Sequence, residues 1–205
     1  MRLLVIGAGG HAKVVVDAAV AAGYEIAGVV GREGDSGAIL GTPVSHDRSA
    51  IVADGFIVAI GDNRVRAQYF SACVAEKLRP VSVVHPSAII GREAVIEDGA
   101  FVAAGVVVNS GARIGANAIL NTGCTVDHDC CIGAHAHIGP GANLCGSVSV
   151  GEGALMGVGS CATPGVALGD WAVVGAGAAV VRDVPADGVW AGVPARDIAR
   201  SGADV

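Results

Sequence analysis

From Ile90 to Val180 an apolar residue recurs at every sixth position: Ile90, Ile96, Val102, Val108, Ile114, Leu120, Val126, Ile132, Ile138, Leu144, Val150, Met156, Ala162, Leu168, Val174 and Val180. Four residues after each stands a small or β-branched side chain, from Ala94, Ala100 and Val106 through Cys124, Cys130 and Ser160 to Ala178 and Val184. Alternation over a few residues fits any half-buried strand, but a period of six held this long specifies one short strand and one turn per hexad. Three hexads close a triangular coil, so the run predicts about five coils and a prism roughly 25 Å tall at about 4.8 Å per strand. The fold class expected for residues 85–184 is an all-β left-handed parallel β-helix with aliphatic side chains inside and small residues near the corners. Such a solenoid needs its ends covered. The N-terminal residues are expected at one end. At the other, the phase fades into Pro185, Trp190 and Gly192-Val193-Pro194-Ala195-Arg196, which assigns 185–205 to a C-terminal loop and cap.

Residues 1–84 follow a different pattern, that of a small α/β, Rossmann-like domain. Arg2 to Ile6 reads as a buried strand, Gly7-Ala8-Gly9-Gly10-His11-Ala12 as a glycine turn, and residues 12–22 as a helix with Val15, Val16, Ala19 and Val20 on one face. Further strands are expected over 25–30 and 56–60, a helix over 63–77, and a last strand over 81–84 closing a parallel sheet. The glycine turn fits a diphosphate site, because absent side chains let phosphate approach the N–H groups at a helix start. An NAD ribose is disfavoured, since Val29-Val30 is followed by Gly31-Arg32 and not by an acidic residue. Gly61-Asp62-Asn63 follows the third strand at the sheet's carboxyl edge, where ligands of open α/β sheets bind; Asp62 and Asn63 read equally well as a helix cap.

Composition narrows the function. With 52% apolar, 16% charged and 3% aromatic residues and 32 glycines, the core must be built from small aliphatic side chains. A net charge of -6 without any basic cluster argues against nucleic acid. The apolar run Leu3 to Ile6 is too short for a signal core or a membrane span, so a cytoplasmic protein without a membrane partner is expected. Six cysteines without a Cys-x-x-Cys pair read as reduced packing residues.

Within the repeat, Asn121-Thr122-Gly123-Cys124-Thr125-Val126-Asp127-His128-Asp129-Cys130 concentrates polar side chains. His128 follows inward Val126 by two, which should turn it outward, and its flanking carboxylates can orient the ring and raise its basicity. His135 and His137 lie nearby, so three imidazoles around zinc, as a hydratase would need, stand as an alternative, although no metal is expected.

Both halves together resemble the PglD/NeuD-like sugar acyltransferases, which include bacillosamine and perosamine N-acetyltransferases. The resemblance is carried by Gly7-Ala8-Gly9-Gly10-His11-Ala12-Lys13, Ala59-Ile60-Gly61-Asp62-Asn63, His85-Pro86-Ser87-Ala88, Asn121-Thr122-Gly123, Asp127-His128-Asp129-Cys130 and Gly192-Val193-Pro194-Ala195. It implies a homotrimer using acetyl-CoA as co-substrate along the β-helix, with a nucleotide-linked amino sugar held by the N-terminal domain. It implies His128 as general base, Asp129 as the acid that strengthens it, and Asn121 in the same pocket. His137 is placed beside the thioester, Gly157, Val158 and Ala176 along the coenzyme, and Gly9, Gly10 and His11, joined by Gly61, Asp62 and Asn63, on the sugar nucleotide. Gly31-Arg32 departs from an acidic pair found in many relatives. The activity implied is acetyl transfer to the 4-amine of a 4-amino-4,6-dideoxy sugar in polysaccharide biosynthesis, UDP-linked or, as in GDP-perosamine, GDP-linked, with UDP favoured. An O-acetyltransferase, the zinc hydratase, and a nucleotide-sensing module on a trimerising solenoid remain open.

Overall fold

The computed structural model describes residues 1–198; the remainder of the expected 185–205 cap lies outside the described residues. The N-terminal unit is a five-stranded sheet in the order β3-β4-β2-β1-β5, formed by β1 (Arg2–Ile6), β2 (Glu25–Val30), β3 (Ala38–Ile39), β4 (Thr42–Ser45) and β5 (Gly55–Val58). Helices α1 (Gly10–Ala21) and α2 (Asn63–Ala75) complete it. Alternation along β1 explains the layering. Leu3 and Val5 join the core that contains Val15 and Val16 of α1, whereas Leu4 and Ile6 pack with Phe56, Val58 and Cys73. The short hairpin of β3 and β4 is absent from the sequence reading. Residues 81–84 do not close this sheet: Val81 donates to the Phe56 carbonyl at 2.9 Å, but Val83–Val84 pairs with Phe101–Val102 and so begins the solenoid.

The solenoid is the expected left-handed parallel β-helix. Its first side runs from Val83–Val84 through Phe101–Val102, Ile119–Leu120, His137–Ile138, Leu155–Met156 and Val173–Val174, and is extended by Val189–Ala191 and antiparallel Arg196–Asp197 to eight strands. The second side holds six strands, from Ile89–Ile90 to Ala179–Val180, and the third five, from Val95–Ile96 to Ala167–Leu168. From Val83 to Val180 the parallel partners differ by 18 residues, as in Thr125 against Asn143, which is the three-hexad coil; the last coil is shorter, with Val173 against Val189. The inward positions are buried from Val102 onward, but Ile90 stays 38% exposed, because the N-terminal unit covers the first side and not the whole first coil.

The docking side is set by the outward positions. On the first side these are Val83, Phe101, Ile119, His137, Leu155 and Val173, apolar but for one; on the third they are Val95, Arg113, Cys131, Ser149 and Ala167. Burying Phe101 and Ile119 beneath the N-terminal unit contributes a few kcal/mol by removing apolar area from water. Three of the six cysteines, Cys131, Cys145 and Cys161, are exposed, since they occupy outward or corner positions; Cys73, Cys124 and Cys130 are the buried packing residues expected.

Candidate active site

From Glu93 to Gly177 each corner between strands carries one residue with left-handed backbone, and these φ values lie between 55° and 76°. Glycine fills many of them; Asn117, Asp129 and His135 are among the others, residue types that tolerate this region best. The corner joining the second and third sides carries Asp127-His128-Asp129. Asp127 Oδ1 accepts from the His128 backbone N–H at 2.8 Å and from Asn109 Nδ2, one coil earlier, at 2.9 Å. These bonds lock the turn and hold the Asp127 carboxyl below its ordinary range. Asp129 places Oδ2 2.9 Å from His128 Nδ1. With a carboxylate as its partner, Nδ1 carries the proton and Nε2 keeps its lone pair. The Asp129 hydrogen bond, followed by the Asp127 charge, raises the His128 pKa above the ordinary value. His128 and Asp129 side chains are 59% and 67% exposed, so a second reactant can reach Nε2.

The vertex bearing His128 is opposite the first side, where the N-terminal unit docks. That unit has its own cleft of about 280 Å³, lined by Gly7 to His11, Arg32, Asp35, Ala59 to Asp62, Val65 and Tyr69. Helix α1 starts at this cleft with Gly9 as N-cap and no side-chain cap, leaving its first amides for a ligand. A Cβ added to Gly9, Gly10 or Gly61 would meet nothing within 4 Å. Asp62 lines the cleft and also caps α2, accepting from Val65 N–H at 2.9 Å. Asn63 turns to the solenoid, donating to the Gly153 and Ala154 carbonyls at 2.9 and 3.3 Å.

Between cleft and solenoid sit two imidazoles. His11 packs edge-on against Phe101 at 5.4 Å and stands 6.4 Å from His137. Asn121 Oδ1 accepts from Thr122 N–H at 2.8 Å, which turns Nδ2 toward His137 Nε2 at 3.0 Å; Nε2 is therefore an acceptor and the ring is neutral. Burial, reinforced by nearby Arg66, pushes both pKa values down to about 4. Rings that ionise near pH 6.5 when unfolded but near 4 when folded give stability that is complete above 6.5 and lost as pH falls through 4. The loss approaches about 3 kcal/mol per ring. Urea midpoints should fall steeply from pH 7 to pH 4, less so in His137→Asn; a slope unchanged by that substitution would contradict the assignment.

Arg66 was not legible in the sequence. It is fully buried and its donors reach five carbonyls: Nε to Asn117 at 3.0 Å, Nη1 to Ile60 and Gly61 at 3.1 and 3.2 Å, and Nη2 to His135 and Ala136 at 2.5 and 3.3 Å. It thus clamps the cleft loop to two solenoid corners. Burial pushes its pKa down to about 10, which leaves it charged at neutral pH.

The residues singled out in the sequence therefore fall into separate groups. His128 and Asp129 share one vertex. Asn121, Gly157, Val158 and Ala176 line the corner between the first and second sides, stacked by bonds between successive coils such as Gly177 N–H to the Val158 carbonyl at 2.8 Å. Gly9, Gly10, His11, Gly61 and Asp62 line the cleft, and His137 lies outside that lining, 6.4 Å from His11. His128, His135 and His137 do not converge: His135 Nδ1 is held by Asn117 Nδ2 at 2.8 Å, and among the described residues no group of three His, Cys, Asp or Glu side chains could hold a metal. Among the described residues no helix is long and apolar enough to cross a membrane.

Residues 2–73 match the family model of the PglD N-terminal domain. Over the whole chain, the structure superimposes on PerB from Caulobacter crescentus, solved in complex with CoA and GDP-perosamine, with a TM-score of 0.91, 40% identity and coverage of 96% of this chain and 97% of that one. The acetyltransferase domain of PglB from Neisseria gonorrhoeae FA1090, in complex with acetyl coenzyme A, gives 0.89, 36%, 96% and 98%. WeeI from Acinetobacter baumannii AYE gives 0.87, 26%, 97% and 100%. No curated protein sequence matches the chain.

Proposed function

The chain belongs to the PglD-like family of sugar N-acetyltransferases, and from that premise we propose that it moves the acetyl group of acetyl-CoA to the 4-amine of a nucleotide-linked 4-amino-4,6-dideoxy sugar. The observation that carries the reading is the exposed His128–Asp129 pair with Nδ1 engaged and Nε2 without a partner among the described residues. The amine attacks the thioester carbonyl, Nε2 accepts the amine proton, and the carbon–sulfur bond breaks to release CoA. Gly146 lies against the His128 ring, and its N–H, with no acceptor among the described residues, is the donor we propose for the oxyanion.

The uncapped start of α1 and the open faces of Gly9, Gly10 and Gly61 support diphosphate binding in the N-terminal cleft. GDP is taken as the carrier because PerB was solved with GDP-perosamine. A sugar nucleotide in that cleft has its own protomer's His128 on the opposite vertex. The reading therefore requires a second protomer to supply His128, as a homotrimer would, with the coenzyme along the Gly157, Val158 and Ala176 corner beside Asn121. A product whose new acetyl group survives mild base is the amide this reading expects. A base-labile acetyl product would instead be an ester, made by an O-acetyltransferase.

A further inference from the structure

We infer that Gly146 is a positioning residue for His128: its missing side chain is what allows the imidazole to lie against the solenoid with Nδ1 on Asp129. The inference rests on His128 being the base. Gly146 is one coil beyond His128, and a Cβ there would fall 2.5 Å from both Cε1 and Nε2 and 3.1 Å from Nδ1. All three nearest atoms belong to that ring. The solenoid itself does not ask for glycine here. Gly146 lacks a left-handed φ, and its corner position is held elsewhere by side chains as different as Arg92, Asp98, Ala116, Thr122, Pro140 and Glu152. At other corners such as Gly115 and Gly133 an added Cβ would strike backbone of the next coil, so those glycines serve the stack. Gly146 serves a side chain. Below the pair, Gly111, whose left-handed φ of 75° already favours glycine, also leaves room for Asp129, since a Cβ there would fall 2.8 Å from Asp129 Oδ1. The two members of the pair are thus seated over glycines in the coils on either side.

The test is Gly146→Ala, which keeps the backbone N–H and adds one methyl. The displaced ring should lose its Asp129 partner. By NMR titration the His128 pKa should fall toward its ordinary value, kcat should drop by about tenfold or more, and the acid limb of the kcat profile should move to lower pH. In the His128→Ala background, adding Gly146→Ala should leave the melting temperature unchanged, whereas in the intact protein it should lower it. An unchanged His128 titration in Gly146→Ala would overturn the inference whatever the activity. Retained turnover in His128→Ala would sink the assignment of the base alone, and the titration would still decide the role of Gly146.

Discussion

His128→Ala lowers kcat by about 10²–10⁴-fold and leaves the KM for acetyl-CoA nearly unchanged, because a general base acts as the proton transfers and not when the coenzyme binds. The side chain is 59% exposed and lies on the outer surface of the solenoid, so its removal should not disturb the fold. Asp129→Asn separates orientation from basicity. The amide can still contact Nδ1, but without the charge the His128 pKa falls from its raised position. A base works when deprotonated, so the rate rises with pH through that pKa, and a lower pKa moves the limb to lower pH while weakening the base. Steady-state profiles of both variants between pH 5 and 9 check this. A parallel loss of coenzyme affinity in His128→Ala would make the residue structural.

The second large effect is on stability. Arg66→Met should cost about 3–5 kcal/mol, since it removes a buried charged donor set and leaves carbonyls of Asn117, Ile60, Gly61 and His135 short of partners. For a chain of this size that corresponds to a fall in melting temperature of about 10 °C or more. Arg66→Lys keeps the charge but not the fork, and should recover less than half of the loss. A melting temperature within about 2 °C of the unaltered protein would show that the clamp contributes little. The α2 ridge adds a weaker fastening, with Arg64 4.4 Å above the Trp171 ring and Phe70 edge-on to His135 at 5.7 Å.

The solenoid was legible because its repeat is local: each hexad states inward and corner positions within six residues, and Val102 to Val180 obey it. The outward face of His128 follows from the same phase. The docking side was equally present, at a period of 18, in the large apolar Val83, Phe101, Ile119, Leu155 and Val173 against a third side whose outward positions are smaller or polar from Arg113 onward. Reading the chain in steps of 18 would also have set Gly146 against His128 and Asn109 against Asp127. Arg66 gave no such signal, since one arginine in a helix rich in polar residues reads as solvated, and only the tertiary approach of two corners buries it. Residues 81–84 divide for a related reason: Val81 bonds the edge of the N-terminal sheet at Phe56, whereas Val83–Val84 takes its register from Phe101–Val102.

The central claim is tested most directly by thiol release from acetyl-CoA with GDP- and UDP-linked 4-amino-4,6-dideoxy sugars supplied in parallel. The account predicts stoichiometric thiol and N-acetylated sugar with the GDP-linked acceptor. Turnover with the UDP-linked sugar alone would reverse the carrier and keep the chemistry, whereas no thiol release with either, from folded oligomer, would contradict N-acetyl transfer to such sugars.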